Sequence, residues 1–239
     1  MLIARALVMA VAVAAFTMLI ASGPGTRLGL WPWQTGLALM KWATYTGLAA
    51  GVGALALLVL LVVPRWRTRS WIPVAALVLA AVAVVPPLLL VKQAKSLPYI
   101  HDITTDTFDP PVFVALLETR NKAPNGAAYG GPEIAAQQQK GYPDIKSLVV
   151  KAPPKDAVQR AIDAARKLDW EIVASDAPSG RIEATATTTW FGFKDDVVVR
   201  VRPEADGGSR VDVRSVSRVG ESDVGANARR IREFLSRLS

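Results

Sequence analysis

The sequence contains no cysteine and only one histidine, His101. The lack of cysteine excludes disulfide bonds, thiolate nucleophiles and zinc held by cysteine. It is compatible with an oxidising or a reducing compartment, so it does not locate the protein. A catalytic zinc site usually has three protein ligands, commonly with two or more histidines among them. One histidine is too few for such a site.

Acidic residues are missing from the first part of the chain. Residues 1–91 contain six Lys or Arg and no Asp or Glu, whereas residues 92–239 contain 22 Lys or Arg and 20 Asp or Glu. The net charge of +8 therefore divides into +6 and +2. A nucleic-acid-binding protein places a basic cluster on a folded domain, and the part of this chain that can fold as a domain is nearly neutral. We therefore expect no nucleic-acid partner.

The acid-free part consists largely of three apolar runs, which are Leu2–Ala21, Leu37–Val63 and Trp71–Val91. Each run reaches the roughly 20 residues that a helix needs to cross a bilayer. Residues 1–92 are therefore predicted to form three transmembrane helices surrounded by membrane lipid. The small residues at 21–23 are typical of a signal-peptide cleavage site, but the following Pro24 favours an uncleaved helix. Pro86 and Pro87 predict a kink or an early end of the third helix.

The basic residues of the loops predict the orientation of these helices. Three arginines lie within PRWRTRS at 64–70, and loops rich in Lys and Arg stay on the cytoplasmic side. The N-terminus is then cytoplasmic, and the region after the third helix lies on the outer side of the membrane. None of the three runs contains Asp, Glu or His, which argues against a proton relay or transport by this chain alone.

The second run contains GLAAGVGA at 47–54, with small residues four positions apart. Gly47, Gly51 and Gly53 are the candidate helix-packing residues, because small side chains let helices approach closely in lipid. We favour packing among the three helices of this chain. A surface for another membrane protein or for a second copy of the chain is the alternative.

Residues 93–111 are predicted to form an extended linker, because Pro98, Pro110 and Pro111 flank a run of Thr and Asp. The linker supplies four polar candidates for a site, which are His101, Asp102, Asp106 and Asp109. A hard-cation loop usually has a glycine at its sharp turn, and this stretch has none. We therefore expect no metal ligand and no catalytic residue here, and we favour a linker that docks onto the domain.

Residues 112–239 are predicted to form an α+β domain. A short helix is expected at 132–141, followed by a strand at 147–152, a helix at 153–169, strands at 170–176, 181–191, 196–203 and 210–218, and a helix at 222–238. Consecutive strands joined by short turns form an antiparallel sheet. The predicted fold is therefore a membrane-anchored, helix-grip-like α+β arrangement, with an antiparallel sheet of about five strands and two helices on one face.

The last two predicted strands are rich in arginine. The candidate ligand-binding set is Arg200, Arg202, Arg214 and Arg218. Such a set can bind a carboxylate or a phosphate group. The alternative is ordinary sheet surface with cross-strand charge pairs. One specific form of that alternative predicts an ion pair between Asp102 or Asp106 and Arg214 or Arg218, which would fix the linker to the sheet.

Several motifs resemble a known family in the same order along the chain. They are IHDITTDTFDPP, YGGPEIAAQQQKGYPDI, WFGFKDDVVVRV and VDVRSVSRVGESDVGANARRI. Together they make residues 97–237 similar to the bacterial family catalogued as domain of unknown function 1499. The resemblance implies a domain of the cell envelope that is exported or tethered to a membrane. It implies no activity.

These observations predict a non-enzymatic protein of the bacterial inner membrane, without a cofactor. Its periplasmic domain would bind an envelope protein partner or a lipid-like ligand, and a homo-oligomer is compatible with the sequence. One alternative is a metal-dependent or hydrolytic enzyme that uses residues 97–111. Another is an accessory subunit of a membrane complex, joined through the face that carries Gly47, Gly51 and Gly53.

Overall fold

The computed structural model of the protein describes residues 1–61 and 71–238. It divides into two compact units, one of Met1–Gln93 with Thr189–Gly192 and one of Ala94–Thr188 with Phe193–Ser239. The basic loop at 64–70, from which the orientation of the helices was predicted, lies outside the described residues.

The helical unit contains α1 (Leu2–Arg27), α2 (Trp33–Leu60) and α3 (Trp71–Ser96). Among the described residues, these three helices are long and apolar enough to cross a membrane. The three predicted spans are therefore confirmed in length and composition. Pro86 and Pro87 lie inside α3, which continues to Ser96. The expected early end is therefore wrong, and the alternative, a kink at these prolines, stays a prediction.

Small residues of α2 pack against both neighbouring helices. A Cβ atom added at Gly47 would lie 2.8 Å from Val84 Cγ2 of α3, and one added at Gly53 would lie 2.9 Å from Val8 Cγ2 of α1. Gly51 is less crowded, because its added Cβ would lie 3.7 Å from the Cβ of Ala80. The candidate helix-packing glycines therefore lie at contacts within this chain.

The described residues of the second unit form six strands and four helices. In chain order these are β1 (Asp102–Thr104), α4 (Leu117–Lys122), α5 (Gly131–Gly141), β2 (Leu148–Val150), α6 (Pro154–Lys167), β3 (Glu171–Asp176), β4 (Arg181–Thr187), β5 (Lys194–Pro203), β6 (Ser209–Ser217) and α7 (Ala226–Ser236). The strands form one antiparallel sheet in the order β1-β6-β5-β4-β3, and β2 pairs with β6 beside β1. This confirms the predicted α+β fold.

Several details differ from the prediction. The strand predicted at 181–191 ends at Thr187, and the short helix α4 was not predicted. Two further differences have a clear physical reason. Asp102–Thr104 lie within the predicted linker, yet they form β1, because Ile103 is fully buried in the core beneath the sheet. Three residues are too few to show an alternating pattern. The last helix begins after Gly225 instead of at Ser222. The carboxylate of Asp223 accepts the N–H groups of Gly225 and Asn227, so Asp223 stabilises the helix from outside it.

The main core lies between one face of the sheet and helices α6 and α7. Valines alternate toward these helices on β5 and β6, and Val199 lies directly opposite Val213. The rings of Trp170 and Phe234 stack with their centroids 5.0 Å apart. Burial of this apolar face is what a two-layer α+β domain requires. The second face of the sheet is therefore the place where polar side chains accumulate.

Candidate functional site

The second face of the sheet is covered by residues 105–130, which we call the strap. Phe113 and Leu116 of the strap pack against Val198 and Val216 of the sheet in a small separate core. Between 105 and 130 the chain is mostly irregular, with only α4 as a helix. An irregular segment over a sheet must find partners for its backbone groups, and buried charged side chains of the sheet provide them.

Glu183 of β4 holds the strap through three hydrogen bonds. Its side chain is fully buried and accepts the backbone N–H groups of Val114, Ala115 and Leu116 at 2.8, 3.0 and 2.8 Å. Arg181 lies beside it, with Nε 3.3 Å from a carboxylate oxygen. A buried carboxylate is costly unless it is paired and hydrogen-bonded, and Glu183 is both. The carboxylate therefore has a structural partner at each oxygen.

Arg214 of β6 joins β1 to the strap. It donates two hydrogen bonds to Asp102, at 3.0 and 2.7 Å, and both side chains are almost completely buried. Its guanidinium also lies over the rings of Phe113 and Tyr129, 5.4 and 5.5 Å from their centroids. Burial raises the pKa of Tyr129 to about 12. Of the ion pairs predicted between Asp102 or Asp106 and Arg214 or Arg218, the pair of Asp102 with Arg214 is present in the structure.

Asp196 of β5 is the centre of a second buried cluster. Its fully buried carboxylate lies 3.4 Å from Arg120 Nη1 and 2.8 Å from Arg218 Nη2, and it accepts the hydroxyl of Thr185 at 2.8 Å. Burial lowers the pKa of the Arg120 guanidinium, and Asp196 partly offsets that effect. Arg218 is therefore engaged inside the domain.

Arg200 and Arg202 lie together at the edge of this face. Both contact the fully buried Asp212, at 3.0 and 2.9 Å, and both reach Asp106 and Asp109 of the strap at 3.0–3.4 Å. The four arginines proposed as a ligand-binding set are thus all ion-paired within the domain. They bind acids of their own chain, several of them from the segment predicted as a linker.

His101 lies apart from these clusters. The residue is half-buried, and its Nδ1 is 3.3 Å from the carbonyl oxygen of Glu221. The described residues contain no group of three or more His, Cys, Asp or Glu that could hold a metal ion. The structure therefore brings Asp102 and Asp106 to the arginines and leaves His101 outside.

A cleft opens next to Asp106, at one end of the strap. It has a volume of about 540 Å³ and is lined by residues from 105–108, from 138–147 and by Arg210 of β6. Gln138 fixes one wall, since its side chain forms two hydrogen bonds, of 2.9 and 2.7 Å, with the backbone of Thr104. A few convergent polar groups in a concave, partly apolar space are typical of a small-molecule site. This cleft is the candidate functional site.

Several residues of the cleft carry no recognisable signal in the sequence. Phe108, Gln139, Lys146 and Arg210 come from four separate positions of the chain. They meet because β1 and β2 both pair with β6, and because Gln138 of α5 is hydrogen-bonded to β1. An isolated Lys or Phe in a turn-rich stretch is ordinary surface composition. These residues can be assigned to one site only when the order of the strands in the sheet is known.

One comparison with known proteins gives a match. The family model described as "Protein of unknown function (DUF1499)" matches residues 102–238. The match includes β1, the strap, the residues that line the cleft and both helices of the main core. No curated protein matches the chain.

Proposed function

The chain belongs to the DUF1499 family of proteins of unknown function, and we propose that it is a membrane-anchored binding protein without enzymatic activity. In this proposal, α1, α2 and α3 anchor it in the bacterial inner membrane. The α+β domain lies on the periplasmic side and binds a lipid-like ligand in the cleft.

The observation that carries the proposal is the cleft itself. Its volume of about 540 Å³ is within the range of about 300–1,000 Å³ that small-molecule sites occupy. It is lined by polar and apolar side chains from three parts of the fold, and these parts are joined by hydrogen bonds such as those of Gln138. Such a site is largely formed before a ligand arrives.

The charges around the cleft favour binding over chemistry. Asp106 and Asp212 are paired with Arg200 and Arg202, and Ser147 donates a 2.5 Å hydrogen bond to Asp212. A general base or an activated nucleophile needs a side chain that is available to exchange a proton with a substrate. These side chains are already committed to one another.

Native mass spectrometry of the full chain, purified in detergent from its host membranes, tests the proposal. We expect a reproducible additional mass on the wild type. Gln139→Trp places a large side chain in the cleft and should remove that mass, whereas Arg160→Trp, on the exposed side of α6, should retain it. An identical spectrum for all three proteins would contradict the proposal.

A further inference from the structure

The cleft has an excess of available positive charge. Its lining includes Lys146 and Arg210. Within the described residues Lys146 makes no ion pair, and Arg210 uses Nε to bind Glu204 at 2.7 Å. Among the described residues that line the cleft, Asp106 is the one acid, and Arg200 and Arg202 both contact its carboxylate. An anionic group entering the cleft would therefore find the ammonium group of Lys146, the N–H groups of Arg210 other than Nε, and an acid that is already paired with two arginines.

Neutral donors lie beside the cations. The side-chain amide of Gln139 donates to the hydroxyl of Thr107 at 3.0 Å, and both residues line the cleft. The amide has a second N–H available, and the Thr107 hydroxyl has its own hydrogen to donate. Oxygen atoms of a phosphate or carboxylate could accept from both groups. The polar part of the cleft thus offers hydrogen-bond donors to an anionic group.

The rest of the lining is apolar. Phe108 is 94% exposed, although its backbone is held in place by a 3.1 Å hydrogen bond from its N–H to Asp106 Oδ1. Pro143 and Ile145 contribute further apolar surface. Contact with a hydrocarbon group would remove the ring of Phe108 from water, which is favourable in proportion to the area covered. The exposed ring, on a backbone that is hydrogen-bonded to Asp106, provides a surface for an apolar part of a ligand.

We infer that the cleft binds an anionic amphiphile, whose phosphate or carboxylate lies against Lys146 and Arg210 and whose apolar part lies against Phe108. This inference rests on the proposed function, since it names the chemical class of ligand for the same cleft. An anionic phospholipid has both parts, whereas free inorganic phosphate has only the first.

The test is a titration of the full chain in detergent, followed by native mass spectrometry. The probes are phosphatidylglycerol, phosphatidylcholine and inorganic phosphate. Lipid that binds to the three helices is measured with Gln139→Trp, in which the cleft is filled, and is subtracted. We expect phosphatidylglycerol to bind the cleft at least tenfold more tightly than phosphatidylcholine.

Substitutions separate the two parts of the ligand. Lys146→Gln with Arg210→Gln should weaken phosphatidylglycerol binding about tenfold or more, because each lost charge pair removes a favourable contact. Lys155→Gln, an exposed lysine on α6, should leave binding unchanged. Phe108→Ala should weaken the binding of both lipids. If inorganic phosphate binds as tightly as phosphatidylglycerol and Phe108→Ala has no effect, the cleft binds a free anion. The inference of an amphiphilic ligand is then overturned.

Two further outcomes distinguish this inference from the proposed function. If both lipids bind the cleft equally and Gln139→Trp abolishes this binding, the inference of an anionic ligand is overturned. The proposed function, ligand binding in the cleft, is then supported. The absence of any difference between the wild type and Gln139→Trp, with every probe, would overturn both.

Discussion

The carboxylate of Asp102 receives two hydrogen bonds from the guanidinium of Arg214, which lies 112 positions further along the chain. Both side chains are shielded from water, and Arg214 is additionally held between Phe113 and Tyr129. The pair joins β1 to β6 and reaches the strap through the carbonyl oxygens of Pro111 and Ala127. This ion pair therefore connects β1, β6 and the strap on the second face of the sheet.

Arg214→Ala should destabilise the domain by about 3–5 kcal/mol, because it leaves the buried charge of Asp102 without its partner. Residues 97–111 should then be cut faster by a protease. Limited proteolysis of the full chain, with fragments identified by mass spectrometry, measures this rate.

Arg232→Ala is the matched control for that substitution. Arg232 also donates two hydrogen bonds to one carboxylate, that of Asp144, at 2.6 and 2.8 Å, but on the exposed surface. Exposed pairs contribute about 0–1 kcal/mol, so we expect little change. Equal effects of the two substitutions would show that burial of the Asp102–Arg214 pair has no energetic importance.

Glu183→Gln should loosen the strap without unfolding the domain. The amide has one oxygen acceptor in place of two, so at least one of the N–H groups of Val114, Ala115 and Leu116 loses its partner, at a cost of about 1–3 kcal/mol. Hydrogen exchange of these amides should accelerate, while exchange in α6 stays slow. Glu171→Gln, at an exposed position on β3, should change neither. Unchanged exchange at 114–116 would contradict the role given to Glu183.

Two glycines of α2 should respond differently to the same substitution. Gly47→Ala places a methyl group 2.8 Å from Val84 Cγ2, whereas Gly51→Ala finds ordinary contact at 3.7 Å. Alanine favours a helix over glycine by about 0.5–1 kcal/mol. Gly51→Ala should therefore leave the melting temperature of the purified chain unchanged or higher, and Gly47→Ala should lower it. The reverse order would show that α2 and α3 pack differently.

The pH dependence of stability should contain two opposite contributions. Burial raises the pKa of Asp223 above its ordinary 3.8, so its contribution is present below that pH and is lost as the pH rises through the folded-state pKa. The hydrogen bond from Arg232 lowers the pKa of Asp144, so its contribution is present above pH 3.8 and is lost as the pH falls through the folded-state pKa.

Comparison of the wild type with Asp223→Asn and with Asp144→Asn, between about pH 3 and pH 7, isolates each contribution. The stability difference between wild type and variant should decrease with rising pH for Asp223 and increase for Asp144. Urea unfolding at each pH provides the free energies. Slopes of the same sign for both pairs would contradict these assignments.

The orientation of the protein can be tested directly because the chain has no cysteine. Ala128→Cys introduces a thiol at an exposed position of the strap, and Ser70→Cys introduces one in the predicted cytoplasmic loop at 64–70. A membrane-impermeant maleimide should label the first variant in intact spheroplasts and the second only after permeabilisation. The opposite pattern would place the domain in the cytoplasm.

Alternation along the strands predicted the helix-facing side of the sheet. In the sequence, the apolar Ile182, Ala184, Ala186 and Trp190 alternate with polar residues, which predicts that they share one face. Ile182, Ala184 and Ala186 are buried in the main core, whereas Trp190 lies beyond the end of β4 and is 42% exposed. The same alternation placed Glu183 and Thr185 on the opposite, outward face. They do lie on that face, but the strap buries them. A periodic pattern shows which side chains share a face, and it does not show what covers that face.

The strap itself could not be predicted for a related reason. Its contacts depend on charged side chains that sequence analysis normally assigns to solvent, such as Arg120, which is fully buried beside Asp196. The suggested ion pair of Asp102 with Arg214 came from the excess of acids in 97–111 and of arginines on the last strands. Lys146 and Phe108 do not belong to any such cluster of like residues, so the sequence did not indicate the cleft.

The position of β6 in the sheet has a consequence for biogenesis. It pairs with β1, β2 and β5, yet it follows all three of them along the chain. Before β6 is made, β1 and the strap have emerged without the surface they pack on, and contacts of such high sequence separation form slowly. Closure of the sheet must therefore wait until β6 has been synthesised. A chain that stops before β6 would present unpaired strand edges and buried charges to the proteases that remove incomplete proteins.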